Sequence, residues 1–109
     1  MDAQLKKGML DSLVLAALLE KDGYGYSLTE SIGQVVPIAE TVLYPVLRRL
    51  EEQGLLDTYP VEHGGRLRKY YRITPEGRRR LVSGLDELKE LRRLIDRIVE
   101  EVERNGQTR

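Results

Sequence analysis

Two clusters of side chains in this sequence could carry chemistry. The first lies in "ETVLYPVLRRLEEQGLL", Glu40 to Leu56, where Thr41, Tyr44 and Arg48 recur at three and four residues and Pro45 sits among them. The second lies between Gly64 and Arg80. It holds seven basic residues (Arg66, Arg68, Lys69, Arg72, Arg78, Arg79, Arg80) against one acid, Glu76, with Tyr70 and Tyr71 interleaved. Guanidinium groups are always charged and present a fork of donors that suits phosphate and other planar anions. The chemistry on offer is therefore recognition of an anionic surface.

Reactive chemistry has little to build on. There is no Cys, which excludes disulfides and thiolate metal sites, and the single histidine, His63, leaves no two-histidine zinc site. No nucleophile–base pair stands out. "GYGYS" lacks the preceding strand and the following lysine of a phosphate loop. No catalytic residue, metal or cofactor is expected.

The 109 residues suffice for one small domain, and 40% hydrophobic with 33% charged residues describes a globular, well-solvated chain. The net charge of zero hides segregation. From Leu85 to Glu103 four basic residues face seven acidic ones, so a basic middle adjoins an acidic tail. No apolar run approaches the roughly 20 residues that span a bilayer. "MDAQLKKGMLDSLVLAALLEK" has acidic flanks and no A-x-A cleavage pattern. A soluble cytoplasmic protein with no membrane partner is expected.

These clusters need elements to position them. Leu5, Met9, Leu10, Leu13, Val14, Ala16, Ala17 and Leu18 recur at helical spacing and predict a first helix ending near Lys21. "DGYG" predicts a tight turn. Ser27 as N-cap with Glu30 three residues on predicts a short second helix, about 27–35, which Pro37 ends. In the third helix, steps of 100° place Leu43, Val46, Leu47 and Leu50 on one side. Thr41, Tyr44, Pro45, Arg48 and Glu52 fall on the other, and Gly54 is the C-cap. Pro45 removes a backbone donor, but the Thr41 carbonyl it orphans points outward, where water or a ligand donor can satisfy it. "LLDTYPV" and "LRKYYRI", joined by "EHGGR", predict a hairpin in a two- or three-stranded sheet, with Pro60 on an edge strand. Lys69, Tyr71 and Ile73 share one face of the second strand; Arg68, Tyr70 and Arg72 share the other.

"TPEG" begins a last helix with Thr74 as N-cap and Pro75 at the first position. It has room for about 28 residues, to near Arg104. Leu81, Leu88, Ile95 and Val102 recur every seven residues, with Leu91 and Ile98 between them and Gly84 as the one gap. So small a domain cannot cover such a helix. The stripe either folds back on its own core or, the favoured reading, buries against a second copy. Mainly α with a small β hairpin, the expected fold is a winged helix-turn-helix over 1–74. A C-terminal dimerisation helix with a disordered tail follows over 75–109.

The stretches "TVLYPVLRRLEEQGLL", "GGRLRKYYRITPEG" and "GYGYSLTESI" closely resemble the signatures of the PadR-like transcriptional regulators. The resemblance runs from about Leu5 to about Val102 and looks like the subgroup with a single C-terminal helix. Where relatives read TLYP this chain reads "TVLYP", so an alignment on Tyr44 and Pro45 sets the family threonine on Val42 and Thr41 one place early. With no Trp or Phe, the sandwiching of flat aromatic drugs seen in some relatives finds no support.

The resemblance implies a homodimer on double-stranded DNA, usually a repressor on a pseudo-palindromic operator, with a small-molecule effector of unknown identity as a further candidate partner. It implies DNA contact by Thr41, Tyr44, Pro45 and Arg48 of the third helix. Gly64, Gly65, Arg66, Arg68, Lys69 and Tyr70 of the wing join them, with Arg72, Lys6 and Lys7 as further phosphate candidates. A dimer interface of Leu5, Met9, Leu81, Leu88, Leu91, Ile95, Ile98 and Val102 follows. The alternative, a winged helix that binds protein through its long helix, has no need of a basic wing.

Overall fold

The computed structural model describes residues 3–106, with side chains from residue 8 onward. The chain runs α1 (Ala3–Ala17), β1 (Gly23–Tyr24), α2 (Gly25–Gly33), α3 (Glu40–Glu52), β2 (Leu56–His63), β3 (Arg66–Ile73), α4 (Pro75–Ser83) and α5 (Leu85–Asn105). The three strands form an antiparallel sheet in the order β1-β3-β2. Helices α2 and α3 make the helix-turn-helix, and β2 with β3 makes the wing. The fold is a winged helix-turn-helix.

The core forms where the apolar faces of α1, α2 and α3 meet one face of the sheet. Val14, Leu18, Ile32, Leu47, Leu56 and Tyr71 are among its buried members. The burial of α3 follows its 3.6-residue period: Leu43, Val46, Leu47 and Leu50 are buried, and Thr41, Tyr44, Pro45 and Arg48 are exposed. In the wing, Tyr71 and Ile73 face the core as their alternation requires. Pro60 lies on the outer strand β2, where a missing ladder donor is tolerated. The hairpin closes through Gly64 and Gly65 alone, since His63 pairs with Arg66. Both glycines have positive φ (59° and 81°), as a two-residue turn that follows the strand twist demands.

Four expectations are corrected. "DGYG" is more than a turn: Gly23 and Tyr24 pair with Tyr71 and Tyr70 as a short third strand. Helix α2 starts two residues early. Its N-cap is Tyr24, and Ser27 stands at the third helical position, where its hydroxyl oxygen accepts from the Tyr24 N–H at 3.0 Å. Glu30 instead accepts from the Tyr26 hydroxyl. Helix α1 ends at Ala17, not Lys21.

The last correction concerns the expected 28-residue helix, which breaks at Gly84 into α4 and α5. Gly84 has φ −93° and ψ 0°, at the edge of the right-handed helical region. Glycine is a poor helix former, and the Ser83 hydroxyl is a second donor to the Arg80 carbonyl, which also accepts from the Gly84 N–H at 3.2 Å. The helical ladder resumes with Leu88 N–H to the Gly84 carbonyl at 3.1 Å. Before the break, α4 is seated on the body. Thr74 caps it, accepting from the Gly77 N–H and donating to the Gly54 carbonyl, and Arg78 donates to the Leu19 carbonyl of the α1–β1 segment. After the break, α5 buries no residue.

Candidate nucleic-acid interface

The outer face of α3 is one half of the site. Two consecutive arginines there have opposite fates. Arg49 is ion-paired to Asp11 of α1, and both side chains are largely covered. Arg48, one residue earlier and about 100° round the helix, is exposed and has no hydrogen bond or ion pair among the described residues. Its fork of donors stays available. Thr41 and Pro45 are exposed beside it.

Tyr44 is exposed but not free-standing. Its ring lies against Gly25 at the start of α2: a Cβ there would meet the Tyr44 hydroxyl at 2.2 Å and ring carbons at 2.7 and 2.8 Å. The missing side chain of Gly25 is what lets α3 dock this close to α2, so Tyr44 both faces outward and sets the angle of the helix pair.

The wing is the other half. Gly64 and Gly65 are exposed at the tip with nothing near them, so a backbone can approach closely. Arg66 is exposed, and its side chain makes no hydrogen bond or ion pair with a described residue. Lys69 is engaged: it pairs with Glu51 of α3 at 3.2 Å and lies 5.5 Å from the centre of the Tyr71 ring. Glu51 also accepts from the Thr58 hydroxyl, which binds the wing to α3.

Arg68 and Tyr70 belong to an arrangement on the open face of the sheet. Tyr24, Tyr70 and Tyr59 stand in one row across the three strands. Ring centres are 5.3 Å apart for Tyr24–Tyr70 and 5.8 Å for Tyr59–Tyr70. The Arg68 guanidinium sits 4.4 Å over Tyr24 and that of Arg72 5.1 Å over Tyr59. The Tyr59 hydroxyl donates to Asp22. That bond and partial desolvation raise the Tyr59 pKa above the ordinary tyrosine value; burial raises that of Tyr71.

The expected dimer residues differ in exposure. Leu81 is partly buried against the core. Met9, Ile95, Ile98 and Val102 are exposed, while Leu88 and Leu91 are half-buried. The α5 stripe is wider than the heptad reading had it, since Leu85, Leu94 and Val99 are exposed on or beside it. A groove of about 800 Å³ runs between α1 and the α4–α5 corner, lined by Met9, Leu15, Leu81, Leu88, Leu91 and Leu94. The side chains of Leu5, Lys6 and Lys7 lie outside the described residues.

Sequence reasoning missed Gly25, Tyr24, Asp22 and Tyr59 as parts of the site, along with the Asp11–Arg49 pair. Gly23 and Gly25 of "GYGY" were the available signal, since a glycine can mark close approach by another part of the chain.

The sequence model described as the Transcriptional regulator PadR-like family matches residues 14–83. The transcriptional regulator Rv3488 of Mycobacterium tuberculosis is 35% identical over 83 residues, covering 75% of this chain and 78% of that protein. Among solved structures, a PadR family transcriptional regulator from Eggerthella lenta is 40% identical with a TM-score of 0.75, covering 89% of this chain and 87% of its own. A transcriptional regulator from Clostridium thermocellum is 32% identical with a TM-score of 0.77, covering 91% of this chain and 98% of its own. The chain belongs to the PadR-like family and is a transcriptional regulator, not an enzyme. No described helix is long and apolar enough to cross a membrane.

Proposed function

We propose that the protein binds double-stranded DNA as a homodimer and represses transcription from a pseudo-palindromic operator. The observation that carries this reading is the pair of unengaged arginines on the DNA-facing elements. The side chains of Arg48 on α3 and Arg66 beside the bare wing tip have no partner among the described residues, while those of their neighbours Arg49 and Lys69 are tied down. Helix α3 enters the major groove, where Arg48 donates two hydrogen bonds to a guanine edge. Thr41, near the start of α3, contributes a phosphate contact. The tip lies along the backbone and Arg66 reaches the minor groove, whose narrow A·T tracts attract arginine.

The apolar stripe of α5, open along its length, is the proposed seam between copies, with Met9 of α1 beside it. Winged helix (1–74) and dimerisation segment (75–109) divide the labour in this reading. Two α3 helices about 34 Å apart then read successive major-groove turns. A small effector in the groove between α1 and α5 would act by changing that spacing.

The test selects operators from random and genomic duplexes and measures affinity at several salt concentrations. Arg48→Ala is expected to weaken binding about tenfold or more and relax preference at one base pair of each half-site. Arg66→Ala is expected to weaken binding most at sites whose wing-facing minor groove is A·T-rich, and to lower the salt slope by about one per subunit. An intact dimer that binds no duplex at low salt would sink the proposal.

A further inference from the structure

The open face of the sheet has the residue types of a stacking platform: three tyrosines and three arginines (Arg66, Arg68, Arg72) on one side of three strands. A platform for bases needs free ring faces. Here Tyr70 has a tyrosine on each side, and the end rings carry Arg68 and Arg72. The stacking capacity is consumed inside the protein.

What the row joins is more informative. Tyr24 is the N-cap of α2, and Ser27 locks it there: the Ser27 hydroxyl accepts from the Tyr24 N–H at 3.0 Å and donates to the Tyr24 carbonyl at 2.9 Å. The next residue, Gly25, carries the Tyr44 ring of α3. At the other end, Tyr59 on the outer strand reaches back to Asp22, just before β1. A continuous series of contacts thus runs from Arg68 on the wing through Tyr24 and Gly25 to Tyr44 on the recognition helix. Asp22–Tyr59 ties the far edge of the wing to the same segment.

We infer that the Tyr24–Tyr70–Tyr59 row, latched by Asp22, is a positioning element for DNA recognition, fixing the wing against the helix-turn-helix and holding the Arg68 guanidinium ready for the duplex. The inference rests on the proposed DNA reading. Arg68 is the residue that meets DNA; Tyr24, Tyr70, Tyr59 and Asp22 act through it.

The experiment is a double-mutant cycle on the full-length chain, using an operator selected with the wild type. Arg68→Ala is expected to weaken wild-type binding about tenfold, but less than about twofold once Tyr70→Ala is present. Tyr70→Ala alone should lower the salt slope by about one per subunit, the signature of a lost phosphate contact. Arg48→Ala should weaken binding by the same factor with or without Tyr70→Ala, which a general loosening of the fold would not give. Equal losses from Arg68→Ala in both backgrounds, or no loss from it in either, overturn the inference while leaving the DNA reading intact. A wild type that binds no duplex overturns both, and that result needs no variant to see. Should Tyr70→Ala not fold, Tyr59→Phe takes its place, since it keeps the ring and removes only the latch. A penalty for Arg68→Ala that Tyr59→Phe leaves unchanged then counts against the inference.

Discussion

Helices α3 and α5 have the same sequence grammar and opposite surroundings. Each carries a row of aliphatic residues at helical spacing and charged residues on the opposite side. In α3 the row is sealed: Leu43, Leu47 and Leu50 are 0% exposed. In α5, Ile95, Ile98 and Val102 are 46%, 54% and 61% exposed. Burying apolar area contributes about 25 cal/mol per Å², so α3 has already realised its stabilisation inside the chain while α5 holds most of its own in reserve. A periodic pattern states which side of a helix is apolar. It does not state what covers that side. Chain geometry decides that, and past Gly84 the chain leads α5 off the body.

The comparison breaks most sharply at Leu47. Leu47→Ala leaves a cavity in a closed core and should lower stability by about 2–5 kcal/mol, measured by urea unfolding. A loss below about 1 kcal/mol would mean that α3 is as loosely covered as α5. Next in size is Gly25→Ala, which drives a methyl into Tyr44 and should cost about 1–3 kcal/mol. Tyr44→Ala in the same chain should restore part of it, visible as a recovered melting temperature; no recovery would show that the two helices are not in contact there.

Ile98→Glu should change the unfolding free energy of a dilute single chain by less than about 0.5 kcal/mol, because the site is already in water. Sedimentation should nevertheless show self-association abolished. A variant that still sediments as a dimer would move the seam elsewhere. The smallest effect belongs to the open face of the sheet. A tyrosine whose pKa is raised on folding contributes stability that is full below pH 10 and lost as pH climbs through the raised value. Tyr59→Phe should therefore flatten the fall in stability above pH 10. An unchanged alkaline limb would show that the Tyr59–Asp22 bond contributes nothing there.

The parts legible in the sequence are those whose partners are local. The buried face of α3, the Gly64–Gly65 tip and the Thr74 cap followed from spacing and residue type. Strand β1 did not, because two residues carry no period, and its partner Tyr71 lies far along the chain. The tyrosine row was illegible for the same reason: Tyr24, Tyr59 and Tyr70 meet only once the strand order β1-β3-β2 exists. Gly84 showed as a gap in a heptad stripe, yet a glycine in a sequence does not state whether it merely weakens a helix or ends it.

That break has a mechanical side. Twenty-one residues of α5 make an arm of about 30 Å that leaves the body at Gly84. A tilt of about 5° at Gly84 swings the far end by about 3 Å, close to the rise of one DNA base pair. If two such arms are clasped along their length, the same small tilt is passed to the reading heads instead. The elbow would then work as a pair of calipers, with a slight flexion at one glycine setting the distance between the two heads.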